Sequence, residues 1–150
     1  MTAKEPMKGP GCFQWSTGGW FGSQVGSTCW MVVGGVPLAF YAPLIGVTFL
    51  VCFAVANAIG ISLWLRRDRL RPYPAIQILL LVIAISGRVA LVTFDVLRPA
   101  SVRLNLTSEY GGNLRQGYLV FSVGVPLGML WFHLMERSVT AARARAQGGC

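Results

Sequence analysis

Long apolar runs separated by short polar segments dominate the pattern along this chain. Residues 42–65 carry no formal charge, and residues 75–97 carry only Arg88 and Asp95. A helix needs about 20 predominantly apolar residues to cross the hydrocarbon core of a membrane, so both runs predict transmembrane helices. The segment between them is strongly basic and contains Arg66, Arg67, Arg69 and Arg71. These two runs and their basic loop form the centre of the predicted architecture.

Two weaker apolar stretches flank this centre. The complete pattern predicts four helices, at about residues 20–40, 43–65, 74–97 and 118–135. Pro37 and Pro43 are expected to bracket a tight connection, with Pro43 opening the second helix. Pro126 is expected to kink the last helix. The prediction is therefore an all-α integral membrane protein with a four-helix transmembrane domain over residues 20–135, a polar N-terminal segment over 1–19 and a basic C-terminal tail over 136–150.

The distribution of basic residues predicts an orientation for these helices. Short loops rich in Lys and Arg stay on the cytoplasmic side of a membrane. If both termini are cytoplasmic, nine basic residues lie inside: Lys4, Lys8, the four loop arginines, Arg137, Arg143 and Arg145. Three lie outside, namely Arg98, Arg103 and Arg115, beside an Asn105-Leu106-Thr107 triplet that matches an N-glycosylation acceptor. The imbalance predicts that both termini are cytoplasmic.

Composition agrees with a membrane protein and narrows the choice of partners. The 150 residues are 54% hydrophobic and 12% charged, with a mean hydropathy of +0.58. A typical soluble domain is about 25% charged. The net charge of +8 lies in loops and termini rather than along one face. This placement argues against a nucleic-acid partner and favours the anionic headgroups of a lipid bilayer, with the four loop arginines at the membrane surface.

Two sets of glycines recur at a spacing of four residues. Gly18, Gly22 and Gly26 share one face of the first predicted helix, and Gly124 and Gly128 share a face of the last. Small residues at this spacing let helix backbones approach closely in lipid. Both sets, a glycine-zipper pattern, predict packing faces for another membrane protein or for a second copy of this chain.

Polar side chains within the apolar runs are candidates for a specific role. Gln77, Arg88 and Asp95 are 11 and 7 residues apart, which places them within about 20° on one face of the third helix. Such a stripe should face protein or a water-filled cavity. Asn57 of the second helix lies at a depth that suits a contact with Arg88. The stripe is then either a structural clasp between helices or a site for an anion or lipid headgroup.

The sequence offers little support for catalysis or for a bound cofactor. It lacks a Ser/His/Asp set, a carboxylate pair or a phosphate-binding loop in the expected context. The four cysteines show no metal-binding spacing. His133 is the one histidine, so we predict no cofactor, with single axial ligation of a haem or chlorophyll by His133 as the alternative.

Three functions are compatible with these observations. The first is a non-enzymatic interaction or accessory subunit that uses the glycine faces. The second is an oligomeric transporter or channel for a small or anionic solute, lined by Gln77, Arg88 and Asp95. The third, and weakest, is a haem- or chlorophyll-binding subunit that uses His133.

Overall fold

The fold is entirely helical in the part of the chain that a computed structural model describes, residues 12–97 and 116–147. Helix α1 spans Thr17–Tyr41, α2 spans Pro43–Leu65 and α3 spans Pro72–Leu97. A final helical stretch begins at Gln116, contains a π-helical segment at Val120–Gly124, and continues as α4 over Val125–Gln147. We call this whole stretch the fourth helix. The all-α prediction is confirmed for the described residues.

Three of the helices are long and apolar enough to cross a membrane. They are α2, α3 and the stretch Gln116–Ala146 of the fourth helix. These helices support the prediction of an integral membrane protein. Helix α1 has sufficient length, with 25 residues, but its early turns contain polar side chains that lower its hydropathy: Ser23, Gln24, Ser27 and Thr28.

The connection between α1 and α2 is shorter than the two prolines predicted. Pro37 lies inside α1, which continues to Tyr41. Ala42 alone separates the two helices, and its N–H donates to the carbonyl of Leu38 at 2.7 Å. Pro43 occupies the first turn of α2, as predicted, where its missing N–H has no intrahelical partner to lose. The bracketing role assigned to Pro37 is therefore wrong, because α1 accommodates this proline and continues for another four residues.

Helices α1 and α2 form an antiparallel hairpin in close contact. At the closed end, a Cβ on Gly46 would lie 2.2 Å from the backbone nitrogen of Ala39 and 2.7 Å from the carbonyl oxygen of Gly35. At the other end, Trp20 Nε1 donates to the carbonyl of Gly60 at 3.2 Å. Small residues at these crossing points let the backbones approach along the full length of the hairpin.

Two clusters of buried side chains hold α3 against this hairpin. The cluster nearer the basic loop contains Trp20, Leu63, Ala75, Leu79 and Ile83. The cluster nearer the α1–α2 connection contains Met31, Ile45, Phe49, Cys52 and Ala90. The three helices α1, α2 and α3 therefore share an interior with two apolar clusters.

The fourth helix is longer than predicted and less buried than the other three. It extends to Gln147, beyond the predicted end at about residue 135. The extension is rich in Ala and Arg, two strong helix formers, whereas the prediction stopped where hydropathy fell. No residue from Gln116 to Ala146 is fully buried.

Helix α3 also begins slightly earlier than predicted, at Pro72, because proline fits the first turn of a helix.

Pro126 alters the fourth helix just before its own position. Proline has no N–H to donate, and its ring crowds the carbonyl four residues earlier, here that of Ser122. The preceding turn widens into the π-helical segment, in which the N–H of Val125 donates to the carbonyl of Val120. The orientation and glycosylation predictions also used six residues that lie outside the described ranges: Lys4, Lys8, Arg98, Arg103, Asn105 and Arg115.

Candidate functional site

A buried hydrogen-bond network joins α1 to α2 halfway along the hairpin. Gln24 Nε2 donates to both the backbone carbonyl and the side-chain Oδ1 of Asn57, each at 3.0 Å. Asn57 Nδ2 donates to Thr28 Oγ1 at 3.1 Å and to the carbonyl of Phe53 at 2.9 Å. Gln24 and Thr28 are 1% and 0% exposed. The network satisfies polar groups that would otherwise be costly to bury among apolar helices.

This network replaces the predicted contact between Asn57 and Arg88. The two side chains bond to different helices: Asn57 to α1 and Arg88 to the fourth helix. Sequence reasoning assigned no partner role to Gln24 or Thr28. The sequence does contain a signal for this role, because Gln24 and Thr28 are four residues apart and share a helical face with Met31 and Gly35.

Gly60 makes room for the network. A Cβ at this position would lie 2.4 Å from Cδ of Gln24. Gln24 Oε1, pressed against this glycine, is the one buried side-chain oxygen or nitrogen without a hydrogen-bond partner in the described residues. The Gln24 amide is therefore fixed through its nitrogen, and its oxygen is excluded from other contacts by the close approach of α2.

Two of the three residues in the predicted polar stripe on α3 bond to the fourth helix. Gln77 Nε2 donates to the carbonyl of Met129 at 3.1 Å. Arg88 donates to Ser122 Oγ, and its guanidinium carbon lies 5.1 Å from the ring centre of Tyr118. Asp95 is half-buried two turns further along α3 and also has an interaction partner. Gln77 and Arg88 thus act as polar ties between helices.

The π-helical segment positions the partners of Arg88. It carries Phe121, whose ring packs on Gly87 so closely that a Cβ there would lie 2.6 Å from the ring. Ser122 follows and reaches Arg88. The roles of Tyr118 and Ser122 could not be predicted from the sequence, since they depend on how Pro126 widens the preceding turn.

The two predicted glycine faces make no contact with side chains of the bundle. A Cβ built on Gly18, Gly22, Gly26 or Gly128 would meet nothing within 4 Å, and one on Gly124 would meet only the Leu119 carbonyl oxygen, at 4.0 Å. By contrast, Gly35, Gly46, Gly60 and Gly87 are buried where helices cross. The glycines of the two predicted faces therefore have open space beside them, whereas the other four glycines allow close packing inside the fold.

His133 lies at the end of the bundle where the basic loop is found. The Tyr73 hydroxyl and His133 Nδ1 are hydrogen-bonded at 2.7 Å. Within the described ranges, no group of three or more His, Cys, Asp or Glu residues could hold a metal ion. The single-ligand alternative, a haem or chlorophyll on His133, stays a prediction.

Arginines and aromatic rings surround the same end of the bundle. Arg66, Arg69 and Arg71 are exposed, and the guanidinium of Arg67 lies 4.9 Å from the ring centre of Trp64. Rings of Trp15, Trp20 and Trp64 form a cluster, and Trp15 Nε1 donates to the carbonyl of Leu70 at 3.3 Å. Tryptophan and arginine together are typical of the interface between membrane and water.

Comparisons of this chain with protein-family models, with curated proteins and with solved structures find no match.

Proposed function

We propose that this protein is a four-helix integral membrane protein that acts as a non-enzymatic accessory subunit. It docks a transmembrane helix of another membrane protein on the glycine face of α1, defined by Gly18, Gly22 and Gly26. The observation that carries the proposal is that this face is open, whereas the opposite face of the same helix is packed against α2.

The hairpin geometry supports α1 as a fourth membrane span. α1 lies against α2 from Trp20 beside Gly60 to Gly35 beside Gly46. If α2 crosses the membrane, α1 crosses it alongside. The polar residues that lower the hydropathy of α1 include Gln24 and Thr28, which are bonded to Asn57 rather than exposed to lipid. Interhelical hydrogen bonds of this kind are common between membrane helices.

Contacts near both ends of the described chain support cytoplasmic termini. Cys12 precedes α1, and its N–H donates to Glu136 of α4 at 2.9 Å. Trp15 bonds to Leu70 of the basic loop. Residues 12–15, the basic loop and the later part of α4 therefore lie at one end of the bundle, where the positive-inside rule favours the cytoplasm.

The face of α1 proposed for docking is separate from the face that packs in the bundle. At 100° per residue, the three glycines lie roughly opposite Gln24, Met31 and Gly35, which face α2. A bulky side chain on the glycine face would block a partner helix without entering the bundle. Each such glycine makes the helix less favourable than alanine would, by about 1 kcal/mol. A partner helix that approaches closely would offset this cost, because it needs small residues at the contact.

The test compares Gly22→Leu with Gly128→Leu, because both replace an open glycine and neither meets a neighbour. Each variant is extracted from its native membrane in mild detergent, and the proteins that co-purify are quantified by mass spectrometry. Gly22→Leu should lose the partner while helicity and thermal stability are kept, since leucine is the better helix former. Gly128→Leu should retain it.

Two outcomes would contradict the proposal. Equal partner loss in both variants would show that the α1 face is not specific. Partner retention in Gly22→Leu would remove that face from the binding surface. If the wild-type complex contains only this chain, at twice its mass, the occupant of the face is a second copy rather than another protein.

The transporter alternative has less support. It requires Gln77, Arg88 and Asp95 to line a pathway, whereas Gln77 and Arg88 are bonded to the fourth helix. A pathway along this stripe would need the fourth helix to move away from α3.

A further inference from the structure

A deep apolar cleft lies between α1 and the fourth helix, with α3 as its floor. Its volume is about 580 Å³, within the range of sites for small ligands. Ile76, Leu80 and Ile83 form the floor, Ser23 lies on the α1 side, and Phe121 and Val125 lie on the opposite side. The cleft is thus a lateral opening in the bundle.

The cleft has the depth of one membrane leaflet. Ile76 and Ile83 lie four and eleven residues after Pro72, or about 6 and 17 Å along α3 at 1.5 Å per residue. Half of the hydrocarbon core is about 15 Å. Ring contacts lie near the two ends of the cleft: Trp30 with Phe121 at 5.7 Å, and Phe13 with Phe132 at 5.3 Å. An extended acyl chain that enters through the lateral opening, beside the Phe13–Phe132 contact, would end near Trp30.

A second pocket, of about 530 Å³, lies near the end of the cleft that is closer to the basic loop. We call it the polar pocket because Tyr73, His133, Glu136, Arg137 and Thr140 line it, together with the apolar side chains of Ala141 and Ala144. The two cavities are close to each other, because Phe13 contacts both Tyr73 at 6.0 Å and Phe132 at 5.3 Å.

Positive charge dominates this end of the bundle. Residues 66–71 and 136–146 contain seven arginines and two carboxylates, Asp68 and Glu136. Arg137 brings one of these charges to the pocket itself, beside the Tyr73 hydroxyl and the His133 ring. Arginine and hydroxyl donors are suited to phosphate oxygens, and basic clusters at a membrane surface attract anionic lipids.

We propose that the cleft and the polar pocket together bind one anionic phospholipid, with an acyl chain in the cleft and the headgroup in the pocket. An acyl chain in the bilayer is already out of water, so moving it into the cleft adds no hydrophobic stabilisation. In the cleft, however, it contacts protein on three sides, so dispersion contacts hold it. The headgroup pocket then supplies the preference for negative charge. This site is separate from the glycine face of α1 and does not depend on the accessory-subunit proposal.

The first test uses the full chain reconstituted in vesicles of equal parts phosphatidylcholine and phosphatidylglycerol, then re-extracted in mild detergent. Native mass spectrometry should find roughly one bound phospholipid per chain, as expected for a single-ligand cavity, and that lipid should be phosphatidylglycerol. Ser23→Phe should abolish the bound lipid by filling the cleft. Ser62→Phe is the matched control, because both serine hydroxyls donate to carbonyls of their own helix and Ser62 faces away from the cleft.

A second pair of variants tests the cleft from its floor. Leu80 lines the cleft, whereas its neighbour Leu81 is exposed on another face of α3. Leu80→Trp should lose the lipid and Leu81→Trp should keep it. The helicity and melting temperature of each variant show whether it is folded. If Ser23→Phe does not fold, the comparison of Leu80→Trp with Leu81→Trp decides the test.

The headgroup is tested by Arg137→Gln, with the loop variant Arg69→Gln as control. Arg137→Gln should bind the two lipids equally, while Arg69→Gln should keep the preference for phosphatidylglycerol.

Unchanged lipid content in folded Ser23→Phe and Leu80→Trp would overturn the cleft site. Equal binding of both lipids by the wild type would overturn the anionic headgroup. A lipid-free dimer in the mass spectrum would show that a second copy fills the cleft.

Discussion

The α1–α2 pair and the pair of α3 with the fourth helix are joined by different means. In the first pair, small residues bring the backbones into contact, and a buried network of Gln24, Thr28 and Asn57 bonds the two helices. In the second pair, longer polar side chains reach across from α3, with Gln77 bonded to Met129 and Arg88 to Ser122.

Burial follows this difference. α1 and α2 each contain at least five fully buried residues, while no residue of the fourth helix from Gln116 to Ala146 is fully buried. Between membrane helices there is no hydrophobic driving force, so association depends on close packing and polar contacts. The first pair combines both over most of its length. The second pair combines the polar contacts of Gln77 and Arg88 with the packing of Phe121 on Gly87.

The largest effect is expected where the α1–α2 backbones touch. In Gly46→Ala the new Cβ would lie 2.2 Å from the backbone nitrogen of Ala39, and backbone cannot rotate away. The helices must separate, at a cost of about 1–3 kcal/mol in the free energy of unfolding, as for other overpacked cores. Unfolding by SDS titration in mixed micelles measures this value.

Gly22→Ala is the matched control for Gly46→Ala. Its Cβ meets nothing within 4 Å, and alanine is the better helix former by up to about 1 kcal/mol. The two variants should therefore change stability in opposite directions. A loss of stability in Gly22→Ala as large as that in Gly46→Ala would contradict the distinction between open and buried glycines.

Much of the fold could be predicted from the sequence, because long apolar runs leave few alternatives. Residues 42–65 predicted α2, which spans Pro43–Leu65. Of the polar stripe predicted on α3, Gln77 and Arg88 bond to the fourth helix. Boundaries set by hydropathy were less accurate. The fourth helix continues well beyond the apolar run, because Ala and Arg favour helix whether or not they lie in a membrane.

Pairing between helices could not be predicted in the same way. Asn57 and Arg88 each had a suitable depth for the other, but depth does not specify which helices are neighbours across a given face. Asn57 faces α1 and Arg88 faces the fourth helix. The cleft and the polar pocket could not be predicted either, since they depend on how the fourth helix packs against α1 and α3.

A smaller effect is expected when the polar contacts of the two pairs are compared directly. Asn57→Ala removes a side chain with bonds to Gln24, Thr28 and Phe53, and it should lower the free energy of unfolding by about 1–2 kcal/mol. Gln77→Ala removes one bond, to the Met129 carbonyl, and should cost about 0.6 kcal/mol, the average for such bonds in membranes. SDS titration of both variants checks the order, and a larger loss in Gln77→Ala would reverse the comparison.

The smallest effect concerns the contact between the N-terminal segment and α4. Cys12 Sγ donates to Glu136 Oε2 at 3.3 Å. Burial raises the pKa of the Cys12 thiol, and the hydrogen bond to Glu136 and its negative charge raise it further, while the charge of Arg143 acts in the opposite direction. Because the thiolate is the reactive form, Cys12 should react slowly with maleimide at mildly alkaline pH.

Two variants should shift this reactivity in opposite directions. With the other cysteines replaced by alanine, the rate of Cys12 alkylation is measured as a function of pH. Glu136→Gln should move the midpoint to lower pH, and Arg143→Gln should move it to higher pH. Because the folded-state pKa is raised, the contact contributes stability below the unfolded thiol pKa of about 8.5 and loses it as pH rises through the folded-state value. An unchanged midpoint in Glu136→Gln would mean that Cys12 does not contact Glu136 of α4.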